Sequence, residues 1–220
     1  MLTIELINNN IPRLKLQDTV SKAIQLINDF RVTHLPVVAE DKYLGLISEE
    51  DLLDIEEEKM PMELLQETFI DVAVHDNEHF LNAVNCCNQF DTSVVPVINE
   101  EKELVGVITS TDLLKALGNF AGTNEIGGII VLEMERSQFA ISEISRIVES
   151  NDATILHLNT TVHPDTGMLT VSIHTNKKEI ASIVATFERY DYDVIYYFGN
   201  ENFENEIHSN YRHLMNYLDI

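Results

Sequence analysis

Hydrophobic residues recur at helical spacing in two stretches of the chain that lie 60 residues apart. The first stretch has apolar residues at positions 20, 23, 24, 27 and 30, which predicts a helix over about 19–31. The same pattern 60 residues later predicts a helix over about 79–90. Short apolar runs divided by polar turns follow each helix and predict strands at 35–39, 43–48, 94–98 and 104–109.

The duplication extends beyond the pattern to individual residues. Leu35-Pro36-Val37-Val38 is matched by Val95-Pro96-Val97-Ile98, and after one inserted residue 45–53 is matched by 106–114. Further helices are predicted at about 49–57 and 110–117, and a short one around Met62–Glu67. Because each half is too small to bury a core alone, we expect the halves to pack together around a cleft.

The second half of the chain follows a different order of elements. The segment 118–128 holds four of the eight glycines and predicts a linker and domain boundary. Apolar spacing then predicts a strand at 129–134, a helix over 140–148, strands at 153–162 and 168–174, a helix over 180–187 and a strand at 194–198. This β-α-β-β-α-β order is the split-βαβ arrangement, and 200–220 reads as an amphipathic helix.

Composition narrows the class of protein. A net charge of −23 argues against a nucleic-acid or anionic-membrane surface, which would need clustered Lys and Arg. No signal peptide and no apolar stretch of membrane-spanning length is visible, and the adjacent Cys86 and Cys87 fit buried thiols, so we expect a cytoplasmic protein. The absence of nucleophile and metal-site motifs favours a protein with no catalytic residue and no metal, not an enzyme.

The candidate chemistry lies where each repeat enters its second helix. Ser48 precedes Asp51 by three residues, and Thr109 precedes Asp112 by the same spacing. This spacing is that of a helix capping box. A hydroxyl at a helix start also lies beside unpaired amides that favour phosphate, and a carboxylate can accept hydrogen bonds from ribose hydroxyls. Capping and nucleotide contact are compatible, and both interpretations stay open.

The repeated helix, hydrophobic-hydrophobic-Pro-Val strand and Gly-to-Asp motif resembles a tandem pair of CBS domains, the regulatory module named after cystathionine β-synthase. The resemblance covers 1–118, with repeats of about 16–57 and 74–117. The part over 129–199 resembles an ACT domain, a small regulatory fold. The predicted fold class is therefore α+β, a CBS pair plus a ferredoxin-like ACT-like domain. This combination also resembles the acetoin-utilisation B-type proteins, whose role is not transferred.

The resemblance implies a homodimer with clefts that bind AMP, ADP, ATP or S-adenosylmethionine, and no required cofactor. It also implies regulation of an unidentified enzyme or transporter. The Ser48/Asp51 and Thr109/Asp112 pairs would hold ribose and phosphate. The strand starts would line the adenine pocket, with Thr33, His34, Ser93 and Val94.

The two copies of the motif differ in charge. The first holds Glu49 and Glu50 where the second holds Ser110 and Thr111, which predicts that the Thr109/Asp112 site accepts phosphate better. Two alternatives to a nucleotide sensor remain: a ligand-free dimerisation module, and amino-acid sensing by the ACT-like domain. The loop 135–138 lacks the Gly or Pro usual in amino-acid-binding members, which weakens the latter.

Overall fold

The computed structural model describes residues 1–199, and the amphipathic helix predicted over 200–220 lies outside the described residues. The chain divides into two compact units with the boundary between Leu117 and Gly118. Within the described part of the chain, no helix is long and apolar enough to cross a bilayer.

The first repeat forms a three-stranded sheet and two helices. One helix precedes the hairpin of the second and third strands along the chain, and the other follows it. Its elements are β1 (Leu14–Lys15), α1 (Val20–Phe30), β2 (His34–Ala39), β3 (Lys42–Ser48) and α2 (Glu49–Leu53). The sheet order is β1-β2-β3, with β1 parallel and β3 antiparallel to β2. Helix α2 ends at Leu53, before the expected residue 57, because the acidic run that follows is unfavourable at the negative end of a helix.

The second repeat has the same architecture. Its elements are β4 (Val74–His75), α3 (Phe80–Phe90), β5 (Val94–Ile98), β6 (Leu104–Thr109) and α4 (Ser110–Phe120). The sheet order is β4-β5-β6, with the same parallel and antiparallel pairs. Helix α4 extends to Phe120, past the expected residue 117, and the short helix predicted between the repeats is a 3₁₀ helix at Met62–Thr68. The strands β1 and β4 were not predicted, since two residues carry no periodicity.

Helices α1 and α3 bury one apolar face and end in the same way. The buried face holds Val20, Ala23 and Ile27 in α1. Each helix stops at a residue in the left-handed conformation, Arg31 with φ 54° and Asp91 with φ 50°. Phe30 and Phe90 are the last residues of the two helices. The hydrophobic pattern assigns both to the buried face, but they are 39% and 40% exposed.

The segments that precede the repeats are exchanged between them. Asn8, ahead of the first repeat, forms a bridge with Val107 in β6 of the second. Ile70, ahead of the second repeat, forms the equivalent bridge with Leu46 in β3 of the first. Each repeat therefore completes its sheet surface with a segment that precedes the other repeat along the chain.

Two equivalent glycines allow this exchange. Gly45 has φ +150°, and a Cβ atom there would lie 2.7 Å from Cβ of Phe69. At Gly106 a Cβ atom would collide with Cγ2 of Ile7. The absence of a side chain at both positions lets the exchanged segments approach the strands closely.

The second unit is a single four-stranded sheet with two helices. Its elements are β7 (Gly128–Met134), α5 (Ile141–Ser150), β8 (Ile155–Val162), β9 (Leu169–Thr175), α6 (Ala181–Arg189) and β10 (Asp193–Phe198). The sheet order is β10-β7-β9-β8 and every neighbouring pair is antiparallel. This is the split-βαβ arrangement expected from the sequence. The core lies between the helices and one face of the sheet, where Leu132, Ile144, Ile173 and Phe187 are fully or almost fully buried.

Candidate functional site

The two hydroxyl–aspartate pairs cap the helices that they precede. Ser48 Oγ accepts a hydrogen bond from the backbone amide of Asp51 at 3.0 Å and donates to Asp51 Oδ2 at 2.5 Å. Thr109 and Asp112 make the same contacts at 3.1 and 2.6 Å. The capping interpretation is therefore confirmed for both pairs. Any ligand contact must come from the atoms that capping leaves unused.

A cavity of about 480 Å³ adjoins the first pair. We call it the first cleft. It is lined by residues of both repeats and of the segment between them: Thr33, His34, Ser48, Glu49, Glu50, Asp51, Ile70, Phe90 and Asp91. The volume lies within the usual range for small-molecule sites, about 300–1,000 Å³.

His34 is the most buried polar residue of the first cleft. Its side chain is 8% exposed. The backbone amide of Ser93 donates to Nδ1 at 3.4 Å, and the Thr33 hydroxyl lies 2.9 Å from the same nitrogen. Because Nδ1 is the acceptor, the ring proton is assigned to Nε2, which has no hydrogen-bond partner among residues 1–199. Nε2 is not among the fully buried side-chain atoms without a partner in 1–199, so it is open to solvent or to a ligand acceptor such as a purine nitrogen.

Burial and two carboxylates act on His34 in opposite directions. Burial lowers the pKa of the imidazole, and the nearby Asp91 and Asp51 raise it by a smaller amount. The net pKa lies below the usual value of 6.5. His34 is therefore neutral near pH 7, and the carboxylates dominate the charge of the first cleft.

The two motif aspartates differ in how many donors surround them. Asp51 receives the Ser48 hydroxyl at Oδ2, and Oδ1 accepts no hydrogen bond from the described residues. Asp112 Oδ2 accepts from Thr109 and from Asn8 Nδ2, at 2.6 and 3.1 Å. Lys115 Nζ lies 3.5 Å from Asp112 Oδ1. Asp51 thus has an unused acceptor oxygen, whereas every oxygen of Asp112 has a donor.

These donors set the protonation state of Asp112. Burial raises the pKa of the carboxyl, but the hydrogen bonds from Thr109, Asn8 and Lys115 together outweigh burial. The pKa of Asp112 is therefore lower than usual, and the carboxylate is firmly ionised at neutral pH.

The strand starts occupy different environments. Thr33 and His34 line the first cleft. Ser93, which is equivalent to Thr33, accepts the backbone amide of Thr33 at Oγ over 2.8 Å and so joins the two strand starts. Val94 is fully buried. The structure thus gathers four of the eight expected site residues around one cavity, namely Thr33, His34, Ser48 and Asp51.

We call the repeat equivalents of the first-cleft residues the second cleft. Its motif residues are Thr109, Ser110, Thr111 and Asp112, and Asn8 replaces Ile70 on the exchanged segment. The position of Asp91 is taken by Arg31, which follows helix α1 as Asp91 follows α3. Asp112 and the nearby Lys115 are thus the charged side chains in contact at the second motif, whereas four carboxylates line the first cleft.

Sequence reasoning did not identify Ile70, Phe90 and Asp91 as cleft residues. Each lies outside the repeat that supplies Ser48 and Asp51, so no spacing connects them to the motif. The partial exposure of the last helical aromatic, Phe90, follows from its position at the cavity wall.

The sequence of the first unit, which holds both repeats, matches a known family. A sequence model of the CBS domain matches residues 4–58 and again 71–119. The first unit of this chain is a CBS domain pair. The predicted resemblance is confirmed for this half, and the two matched stretches correspond to the two repeats described above.

Curated relatives share the CBS pair with this chain but differ from one another in activity. Inosine-5′-monophosphate dehydrogenase of Methanocaldococcus jannaschii is 28% identical over 112 residues, which are 50% of this chain and 22% of the relative. Homoserine O-acetyltransferase of Methanobrevibacter ruminantium is 26% identical over 119 residues, 53% of this chain and 24% of the relative. The matches thus span under a quarter of either relative, and neither activity transfers with the CBS pair.

A solved structure supports the fold of the same region. The crystal structure of a CBS domain pair/ACT domain protein from Thermotoga maritima aligns with a TM-score of 0.50 and 20% identity. It covers 55% of this chain and 98% of the other chain. The likeness concerns the fold alone.

Other candidate chemistry in the described residues is weak. Within 1–199, no group of three or more His, Cys, Asp or Glu side chains could hold a metal ion. Burial is the main reason that the pKa values of the Cys86 and Cys87 thiols are raised, which disfavours the reactive thiolate.

Proposed function

We propose that the CBS pair is a non-catalytic regulatory module that senses an adenosine-type ligand in the clefts between its repeats. The observation that carries the proposal is the first cleft, a cavity of about 480 Å³ that both repeats line. It offers a hydrogen-bond acceptor at Asp51 Oδ1 and a donor at His34 Nε2. A ribose hydroxyl and a purine nitrogen are the complementary groups.

The apolar walls suit the base of such a ligand. Ile70 and the half-exposed ring of Phe90 face the same cavity as His34. A planar heterocycle buried between an aliphatic and an aromatic side chain gains contact area and a favourable ring geometry. Polar groups then fix its orientation, which is the usual division of labour in small-molecule sites.

Regulation would follow from the origin of the cleft walls. Ser48 and Asp51 belong to the first repeat, Phe90 and Asp91 to the second, and Ile70 to the segment between them. A ligand that contacts all three can favour one arrangement of the repeats over another, if its affinity for the two arrangements differs. The regulated enzyme or transporter would read this arrangement.

The test is calorimetric titration of adenosine, AMP, ADP and ATP into the full chain and its Asp51→Asn variant. Asparagine keeps the shape of the side chain and an oxygen for Ser48. Loss of a charge-assisted hydrogen bond worth about 1.5–3 kcal/mol should weaken adenosine binding by about ten- to hundredfold.

Asp112→Asn is the matched control, because it changes the equivalent residue of the second cleft. We expect it to leave adenosine binding in the first cleft unchanged. If none of these ligands binds the wild-type chain or raises its melting temperature, the ligand-free interaction module becomes the better explanation.

We further propose that the CBS pair forms a homodimer through the outer faces of α2 and α4. Leu53 and Leu114 are repeat equivalents and are 65% and 71% exposed. Two equivalent apolar side chains on one unit can meet the same pair on a second copy around a two-fold axis. Leu114→Glu should move the chain from dimer to monomer in sedimentation velocity, and Leu156→Glu on the second unit should not.

A further inference from the structure

We infer that residues 200–220, the tail of this chain, pack as an amphipathic helix on the open face of the sheet in the second unit. The open face is the side of β7, β8, β9 and β10 that points away from the core with α5 and α6. This contact does not depend on any ligand of the CBS pair. It gives a partner to apolar side chains that the described residues leave in solvent.

Half of the open face is apolar. Tyr196 pairs with Val131 across β10 and β7, and Phe198 pairs with Ile129, so these four side chains share one face. Val131 is buried, whereas Ile129, Tyr196 and Phe198 are 39%, 47% and 60% exposed. The ring centroids of Tyr196 and Phe198 lie 5.6 Å apart. We call Ile129, Tyr196 and Phe198 the apolar patch.

The other half of the open face is polar. Its side chains form three facing pairs between β9 and β8: His174 with His157, Ser172 with Asn159, and Thr170 with Thr161. Strand β9 alternates buried and partly exposed residues, which is typical of a strand with one solvated face. The sequences of β7 and β10 instead contain near-continuous hydrophobic runs, which are typical of strands covered on both faces. One sheet thus has a half suited to water and a half suited to a cover.

The position of β10 makes a cover more important. Within the described part of the chain β10 lies at the edge of the sheet and pairs with β7 alone. A hydrophobic edge strand that stays open is a site of aggregation, and natural proteins often cover such an edge with a helix or a loop. The apolar patch lies on this strand and on its single neighbour.

The tail begins at the apolar patch. Phe198 is the last residue of β10, and Gly199 follows it. A Cβ atom at Gly199 would collide with the carbonyl oxygen of Lys178, so the end of the strand is held close to the chain ahead of α6. Residues 199–202 then connect Phe198 to Phe203, the first apolar residue of the tail. Connections of about four to six residues are common between adjacent elements.

The tail has the pattern and the length to cover the patch. Its apolar residues are spaced by four, four, three and four and form one stripe of a helix: Phe203, Ile207, Tyr211, Leu214 and Leu218. A helix over 203–218 would be about 24 Å long. A six-residue strand such as β10 spans about 20 Å. A helix that returns along β10 would therefore place its stripe over the apolar patch.

Covalent attachment favours the chain's own tail over a second copy of the chain. A segment joined by a short connection is present at its site at an effective concentration of about 1 mM. A second copy at micromolar concentration would have to displace it. We therefore assign the apolar patch to the tail of the same chain.

The experiment uses the absence of tryptophan from the sequence, which makes a single introduced indole a probe without background. In the full chain, Tyr211→Trp puts the probe on the apolar stripe. Ser209→Trp puts it on the opposite side of the same helix, because two residues correspond to about 200° of rotation. We expect blue-shifted emission and restricted acrylamide quenching for Tyr211→Trp, and solvent-exposed behaviour for Ser209→Trp.

The decisive second change is Phe198→Ser in the Tyr211→Trp chain. It removes an aromatic ring from the patch, so the emission should shift to the red. Hydrogen-exchange protection of the tail amides should fall by at least about tenfold. Ile141→Ser removes another exposed apolar side chain of the second unit and should change neither value.

A reciprocal pair guards against a folding defect in Phe198→Ser. Tyr196→Trp places the only indole in the apolar patch, and Leu214→Glu then changes the tail and leaves the sheet intact. The emission of the patch indole should shift to the red when Leu214→Glu is added. The same shift from both directions cannot arise from damage to β10.

Two results would overturn the inference. The tail does not occupy the open face if the two tail probes emit alike, or if Tyr211→Trp does not respond to Phe198→Ser. Mixing the Tyr211→Trp, Phe198→Ser chain with an excess of wild-type chain tests the choice of occupant. No recovery of the blue-shifted emission is expected, and recovery would show that the tail binds a second copy instead.

Discussion

The two clefts of the CBS pair share a backbone and differ in chemistry. Both have a capping hydroxyl and an aspartate three residues later. The first leaves an acceptor oxygen of Asp51 unused, whereas Asn8 and Lys115 reach Asp112 in the second. Duplication thus conserved the framework of the site, and the side chains around it diverged, with Glu49 and Glu50 beside Asp51 and Lys115 beside Asp112.

The strongest test of this comparison concerns the framework, at the glycines that admit the exchanged segments. Gly45→Ala should destabilise the chain by about 3 kcal/mol, because the backbone is in a region that favours glycine and the new Cβ would meet Phe69 and the Ile70 carbonyl. Gly106→Ala should destabilise the chain by only about 1 kcal/mol. The new Cβ would meet the end of the Ile7 side chain, which can rotate away.

Urea unfolding of the two variants measures this difference. Gly167→Ala is a suitable control for the conformational effect alone, since Gly167 has φ +70° and nothing within 4 Å of an added Cβ. Equal losses at positions 45 and 106 would show that close approach, and not backbone conformation, limits both strands.

An intermediate effect is expected from the contact that occupies the second cleft. Asn8→Ala removes the hydrogen bond from Asn8 to Asp112 and should tighten AMP binding there by about fivefold, the equivalent of about 1 kcal/mol. Calorimetry in an Asp51→Asn background reports on this cleft alone. Asn10→Ala, two residues along the same exposed segment, should leave AMP affinity unchanged, and weaker binding in Asn8→Ala would instead make Asn8 part of the ligand site.

The smallest expected effect is a pH dependence of folding stability that arises from His34 in the first cleft. The pKa of His34 is lower in the folded chain than the unfolded value of about 6.5. The unfolded chain therefore binds the proton more readily, so folding is fully stabilised above pH 6.5 and weakens as the pH falls below it. The slope for one proton cannot exceed about 1.4 kcal/mol per pH unit.

His34→Val, which installs the residue that the second repeat has at position 94, should flatten this dependence. Chemical denaturation between pH 5 and pH 7.5 compares the two proteins. His163→Gln is the control, because that histidine lies in an exposed turn of the second unit. An unchanged slope in His34→Val would assign the effect to other histidines.

The elements of each repeat could be predicted because they are local. The spacing of Val20, Ala23 and Ile27 specifies α1, and the duplicated motif specifies β3 and α2 closely enough to suggest the family. The prediction that Thr109/Asp112 accepts phosphate better stays a prediction. Lys115 beside Asp112 favours it by charge, whereas the Asn8 hydrogen bond occupies the same carboxylate.

The walls of the clefts could not be predicted because they connect distant parts of the chain. Asn8 and Asp112 are 104 residues apart, and no periodicity relates them. Asp91 resembles an ordinary helix-ending residue until the fold brings it to Ser48 and Asp51. Val94 shows the converse, since its position in the repeat suggests a pocket residue but both faces of its strand are covered.

The exchange of leading segments means that neither repeat can melt alone. If the first repeat unfolds, the chain ahead of it detaches from Val107, and if the second unfolds, the chain ahead of it detaches from Leu46. Thermal denaturation of the CBS pair should then appear as one cooperative transition. Residues 1–9 precede the first repeat but pack on the second. Deleting them would therefore remove Asn8 from the second cleft, although that cleft is built around Asp112.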